Sequence, residues 1–177
     1  MEKIGIFCSA ADSIETVYFE KARELGVWLG ENKKTLVYGG ANLGLMECVA
    51  QAARKHGAFI MGVVPTRLEE TGAVSDLWDV TFRTDNLSDR KDVILRESDI
   101  LVALPGGVGT LDEVFHVMAS ASIGYHAKKV IFDNVNGFWD DLIAFLNRLR
   151  EQHFARRPWG NFCLVANNYE ELIEQLK

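Results

Sequence analysis

The feature that most constrains this chain is an alternation repeated along its length. Seven short runs rich in β-branched and aromatic residues, Lys3–Cys8, Thr35–Gly40, Ala58–Val64, Trp78–Arg83, Asp99–Gly107, Lys128–Asn134 and Phe162–Ala166, are separated by longer polar and apolar segments. The runs have the length and composition of buried strands. Several of the intervening segments place apolar residues at helical spacing: Val17, Ala22, Leu25 and Leu29 after the first run, Leu45, Val49, Ala52 and Ala53 after the second, and Leu111, Val114, Phe115 and Met118 after the fifth. Strands alternating with crossover helices predict an α/β fold, a doubly wound, mostly parallel sheet of seven strands with helices on both faces. Asp12 or Ser13 is placed to cap the first helix, Gly57 to end the second, and Pro65 to stop the third strand.

With 177 residues, 48% of them hydrophobic, the chain can bury one sizeable core, and the expected organisation is a single domain over residues 1–177. The opening "MEKIGIFCSA" has no basic start followed by a long apolar stretch, and no window approaches a bilayer span. A cytoplasmic protein with no membrane partner is expected. Cys8, Cys48 and Cys163 are odd in number and widely separated, which fits buried reduced thiols better than disulfides or a metal site. A formal net charge of -6 argues against nucleic acid as a partner, since such binders present a basic face to phosphates.

In a doubly wound sheet, ligands sit beyond the carboxyl ends of the strands. Three loops fall there: "CSAADS", "YGGANLG" and "LPGGVG". Gly106, Gly107 and Gly109 lie where the fifth strand hands over to a helix, so they can turn tightly and bring backbone N–H groups close to a phosphate. Thr110 would open that helix, its hydroxyl acting as a cap or as a phosphate ligand. A tight turn with no ligand satisfies the same residues. The second turn, with Gly39, Gly40 and Gly44, favours the ligand, because two such turns share one sheet edge. It is no dinucleotide fingerprint, since Ala41 occupies the middle glycine's place and no acid lies in the next strand. No Lys-Ser or Lys-Thr pair follows either set of glycines, which excludes a P-loop.

Pro105–Gly106–Gly107–Val108–Gly109–Thr110–Leu111–Asp112–Glu113 matches P-G-G-x-G-T-x-x-E without exception; "VYGGANLGLM" and the pair Arg90–Lys91 accompany it. In these motifs, and over nearly its whole length, the chain resembles the LOG ("Lonely guy") phosphoribohydrolases, often labelled lysine decarboxylase-like. The resemblance implies a Rossmann-like fold, usually dimeric, that hydrolyses the N-glycosidic bond of a nucleoside 5′-monophosphate, AMP or an N6-substituted cytokinin-type relative, to base and ribose 5-phosphate. It implies no metal and no cofactor. No lysine stands out as a pyridoxal lysine, so the decarboxylase label finds no support. Ala41, Leu87, Ser88 and the first loop "FCSAAD" depart from the family pattern at positions expected to touch the nucleotide, and Glu47 stands where glycine is common.

Breaking a glycosidic bond builds positive charge on the sugar, which a carboxylate can oppose while orienting or deprotonating the attacking water. Glu113 is the expected catalytic carboxylate. It follows Gly109 by one helical turn and so faces back toward the glycines, whereas Asp112 points about 100° away. An isolated glutamate there would serve the helix dipole, and the complete motif overrides that reading. Arg90 resembles the family's catalytic arginine, placed to bind sugar or phosphate and to hold Glu113 ionised. Expected binding residues are Gly39, Gly40, Gly106, Gly107, Gly109, Thr110 and Lys91, although helical neighbours diverge and one of Arg90 and Lys91 faces elsewhere. His116 and His126 read as structural, and Met46, Met61 and Met118 as core or interface filler. The small residues Ala119–Ser122 read as the surface of a homodimer or an assembly of dimers, with packing inside one chain as the other possibility. The competing function is a nucleotide-binding protein of the same fold with little or no turnover.

Overall fold

The computed structural model describes residues 2–177. Its strands are β1 (Lys3–Phe7), β2 (Thr35–Tyr38), β3 (Phe59–Pro65), β4 (Val80–Thr84), β5 (Ile100–Ala103), β6 (Val130–Asp133) and β7 (Cys163–Ala166). All are joined in one sheet, order β4-β3-β2-β1-β5-β6-β7, and every pairing is parallel. The expectation of a mostly parallel sheet is met by a wholly parallel one. The helices are α1 (Thr16–Glu31), α2 (Gly44–Lys55), α3 (Thr66–Glu70), α4 (Leu87–Glu97), α5 (Val108–Ser122), α6 (Asp140–Glu151) and α7 (Tyr169–Leu176).

The sheet is buried on both sides. Leu25, Leu29, Val49, Ala53, Leu172 and Leu176 of α1, α2 and α7 pack on one face with Ile4, Ile6, Leu36 and Ile60. On the other, Ile94, Val114, Val117 and Leu146 of α4, α5 and α6 pack on Val37, Val63, Leu101 and Phe132. Alternate residues of each strand thus serve opposite layers, which is why the strands read as continuous apolar runs. The chain begins at the centre, winds outward through β2, β3 and β4, then crosses back to lay β5 against the free side of β1. The order therefore reverses between β1 and β5, and a crevice opens beyond their carboxyl ends.

Hydrogen bonds between loops hold that crevice in shape. The Ser9 N–H donates to the Pro105 carbonyl (3.1 Å), tying the β1 loop to the β5 loop, and Leu45 N–H donates to Ser9 O (2.9 Å), tying both to α2. Asp12 does not cap α1, whose N-cap is Glu15 with no side-chain cap bond. Its Oδ1 instead accepts the Gly44 N–H (2.9 Å), the first donor of α2, whose own N-cap Leu43 has no capping side chain. The acid serves the neighbouring helix because the β1 loop lies across that helix's open end. Gly44 permits the approach: its φ is +55°, and a Cβ would sit 2.5 Å from the Ala10 carbonyl carbon. Pro65 ends β3 as its last residue, paired with Thr84. Cys8, Cys48 and Cys163 are free thiols, and Cys8 and Cys163 are buried. No described helix is long and apolar enough to cross a membrane.

Because the clash at Gly44 is with backbone that cannot swing aside, Gly44→Ala is expected to lose roughly 2–4 kcal/mol of stability. Asp12→Ala, which removes one helix-end acceptor, should lose about 1 kcal/mol. Denaturant unfolding with equal m-values checks both.

Candidate functional site

A cavity of about 260 Å³ occupies the crevice, lined by Cys8, Ser9 and Ala10 after β1, Met46 of α2, Arg90 of α4, and Gly107, Gly109, Thr110 and Glu113 of the β5–α5 turn. Each wall has a local cause. Asn86 starts α4 by accepting the Ser88 and Asp89 N–H groups at 2.9 Å, which sets Arg90 one turn inside the helix. The Arg90 side chain then reaches across the strand ends: Nη2 donates to the Gly39 carbonyl (2.7 Å) and Nε to the Val63 carbonyl (3.2 Å). Among the described residues no protein acceptor takes Nη1.

Gly39, expected at the phosphate, is instead the seat of this arginine, since a Cβ there would overlap Nη2. Gly40 also lies outside the cavity lining; its φ is +71° and a Cβ would meet Val64 Cγ2 at 2.5 Å. Gly106 makes room for Thr110, whose Oγ1 would collide with a Cβ at that position, and it too is absent from the lining. None of Gly106, Gly107 and Gly109 has a positive φ. Around Gly107 and Gly109 a Cβ would meet nothing within 4 Å. What these two supply is open access to the backbone.

The helix α5 starts at Val108, two residues earlier than expected, with Gly107 as its N-cap, no capping side chain and no acid in its first turn. Its uncapped N–H groups therefore face the crevice with the positive end of the helix dipole. Thr110 is buried and lines the cavity without capping the helix. Glu113 stands one turn further on. Burial pushes its carboxyl up to about 7, against the pull of Arg90, while Asp112 adds to the rise and Lys91 opposes it. No protein hydrogen bond reaches that carboxylate among the described residues, so it faces Arg90 across the cavity without pairing to it. Burial lowers Arg90 from its usual range, and Glu113 offsets part of that.

Lys91 lies outside the lining: its Nζ sits 2.8 Å from both Asp112 oxygens, a link between α4 and α5 on the surface side. The two neighbours on α4 diverge as helical geometry requires, and Arg90 is the one that turns inward. Met46 was not among the expected contacts, whereas Cys8, Ser9 and Ala10 belong to the first loop that is expected to touch the nucleotide. The "CSAADS" loop was flagged by its place after β1, yet nothing in its composition marks which residues face inward; Met46 looks like filler and forms a wall. The Cys8 thiol is pushed well up by burial and by Glu113, so it stays protonated and is no nucleophile at neutral pH. Ala41, Leu87 and Ser88 are absent from the lining: Ala41 is buried in a bridge to Val74, and Ser88 gives its N–H to the α4 cap. His116, facing Asp92 at 3.0 Å, and His126 are likewise elsewhere.

Fold and site together define a Rossmann-like α/β protein with an anion-receptive helix end, a fixed guanidinium and one carboxylate of raised pKa around a single cavity. Residues 46–176 match the family model described as possible lysine decarboxylase. The probable cytokinin riboside 5'-monophosphate phosphoribohydrolase LOGL9 of Oryza sativa subsp. japonica is 40% identical over 175 residues, 99% of this chain and 77% of that protein. The cytokinin riboside 5'-monophosphate phosphoribohydrolase LOG5 of Arabidopsis thaliana is 30% identical over 176 residues, again 99% and 77%. The chain belongs to this LOG family. Among solved structures, the Moco carrier protein of Chlamydomonas rheinhardtii shares the fold, with a TM-score of 0.73 at 22% identity over 99% of this chain and 94% of that one.

The raised carboxyl gives a signed expectation. A carboxylate whose folded pKa lies above its unfolded value destabilises the fold as pH rises from about 4.5 through about 7, and the full penalty remains above that. Glu113→Gln should therefore be more stable than wild type at pH 8, by of order 1–3 kcal/mol, and indistinguishable from it at pH 4. Urea unfolding at the two pH values checks the sign.

Proposed function

We propose that this chain hydrolyses the N-glycosidic bond of a nucleoside 5′-monophosphate, AMP or an N6-substituted relative, releasing the base and ribose 5-phosphate. The observation that carries the reading is the meeting of Arg90, Glu113 and the uncapped start of α5 in one cavity. The 5′-phosphate takes the N–H groups around Gly107 and Gly109, helped by Thr110 and the Arg90 charge. The sugar then lies toward Glu113, one turn further along α5. As the bond from C1′ to the base nitrogen breaks, positive charge gathers on the ring oxygen and C1′, and the Glu113 carboxylate opposes it. A water oxygen bonds to C1′ while Glu113 takes a water proton; the departing base takes up a proton from solvent at the released nitrogen, and Glu113 returns its proton to solvent, so that one water is consumed and the carboxylate is regenerated. Gly39, Gly106 and Lys91 act on this site indirectly, through Arg90, Thr110 and Asp112 respectively. The names of the curated relatives support this substrate class. A metal has no part in this reading; among the described residues no group of three His, Cys, Asp or Glu is placed to hold one.

The reading includes a homodimer or an assembly of dimers. Ala119 and Ser122 of α5 line an apolar groove of about 760 Å³ with Phe115, Ile123 and Phe154, and Ile123 and Phe154 are 71% and 76% exposed. Large apolar side chains left exposed around one groove support an association face there. Ala121, in contrast, packs into the chain's own core. Free thiols and a soluble nucleotide substrate fit a cytoplasmic location.

Incubation with AMP, N6-substituted AMP and adenosine, followed by chromatography of free base, tests the reaction. The monophosphates should be cleaved in strong preference to the nucleoside, and kcat/KM should rise with pH to a plateau above about 7 as Glu113 ionises. Glu113→Gln should bind nucleotide normally with kcat down about 10²–10⁴-fold. Arg90→Ala should raise KM as well as lower kcat. Wild-type binding of all these nucleotides with cleavage of none would replace the enzyme by a nucleotide-binding protein.

A further inference from the structure

A second polar cavity, of about 250 Å³, opens at the same edge of the sheet beyond β6 and β7, walled by Lys21 of α1, Asp133 at the end of β6, Asn136 after it, and Asn168, Tyr169 and Glu170 at the start of α7. Asp133, the last residue of β6, is only 5% exposed, and no hydrogen bond from the protein reaches its carboxylate among the described residues. With no protein donor, this largely buried carboxylate is left to the solvent of the cavity it opens onto, which only partly offsets the cost of its burial. The neighbouring groups do not supply a donor. Lys21, the one cation in the lining, places its Nζ 2.8 Å from Glu24 of its own helix. Asn167 and Asn168 spend their amides on Asn134 and Glu171.

We propose that this cavity binds a small organic cation, a primary alkylammonium, whose N–H groups satisfy Asp133. Charge selects the sign: Asp133, Glu170 and nearby Glu24 face a single Lys21, and acids in the first turn of α7 oppose an anion. Donor geometry selects an organic ion over a metal, since the described residues place no three His, Cys, Asp or Glu around a common point. Size agrees, because the space far exceeds one water and accommodates a short aliphatic chain. Burial has already raised the Asp133 carboxyl to about 7, with Lys21 opposing and Glu24 adding to the rise. An ammonium ion would draw that value down, so binding strengthens as pH climbs through about 7, before the amine itself loses its proton.

Propylamine and 1,4-diaminobutane titrated into isotopically labelled protein at pH 8 test this, with 1-propanol, magnesium chloride and calcium chloride as the other arms. The amines should shift the amides of Asn136, Asn168 and Tyr169 saturably and lower the midpoint of the Asp133 carboxyl carbon. The alcohol should leave them unmoved. Asp133→Asn, which keeps shape and removes the charge, should weaken amine binding at least about tenfold. Lys21→Met, which removes the competing cation, should strengthen it. Amides unmoved by amine, equal binding by Asp133→Asn, weaker binding by Lys21→Met, or saturation by the divalent ions in place of the amines would each overturn the proposal.

Discussion

A guanidinium held on two backbone carbonyls fixes the geometry on which the site depends. Arg90 enters from α4, and its bonds to Gly39 O and Val63 O pin it at the ends of β2 and β3. A charge that deeply placed requires satisfied donors, and hydrogen bonds to a charged group are individually worth about 1.5–3 kcal/mol. The strand ends are thereby matched to one side chain. Gly39 must lack a Cβ for the contact to exist, and Asn86 must start α4 at Leu87 for the arginine to fall in register.

The opposite wall depends on the reversal of strand order. Because β1 and β5 are neighbours whose following helices lie on opposite faces, their loops diverge, yet Ser9 still bonds to Pro105 and α2 still bonds to Ser9. The resulting gap holds an uncapped helix end and Arg90, both favouring an anion, beside one carboxyl that burial leaves titrating near neutrality. This combination suits a substrate with a phosphate at one end and a bond at the other that breaks with growing positive charge. In the proposed reaction, phosphate binding is spent on position and the carboxylate acts where charge develops.

The layered fold was legible because both periodicities are strong: the runs around Ile4, Val37, Ile60 and Val102 are apolar throughout, and α2 and α5 repeat at helical spacing. The P-G-G-x-G-T-x-x-E run puts Gly107, Gly109, Thr110 and Glu113 in one lining. Glycine spacing shows that something approaches closely without showing what. At Gly39 and Gly106 it is Arg90 and Thr110, and only three-dimensional neighbours distinguish these from a ligand. Asp12 has the sequence position of a cap for α1 and serves α2, a partner 32 residues away that local signals do not encode. Lys91 differs from Arg90 by one helical position and hence by direction, and the deciding partner, Asp112, lies on another helix. Met46 was hidden by its chemistry, since a thioether fills a core or walls a cavity equally well.

The central claim is that one cavity receives the phosphate at the start of α5 and presents the sugar to Glu113. A crystal structure of Glu113→Gln grown with AMP tests it most directly. The account requires the phosphate within hydrogen-bond reach of the N–H groups around Gly107 and Gly109, Arg90 against the phosphate or sugar, and the residue 113 side chain facing C1′. Nucleotide bound elsewhere, or in this cavity with the base in place of the sugar at residue 113, would contradict it.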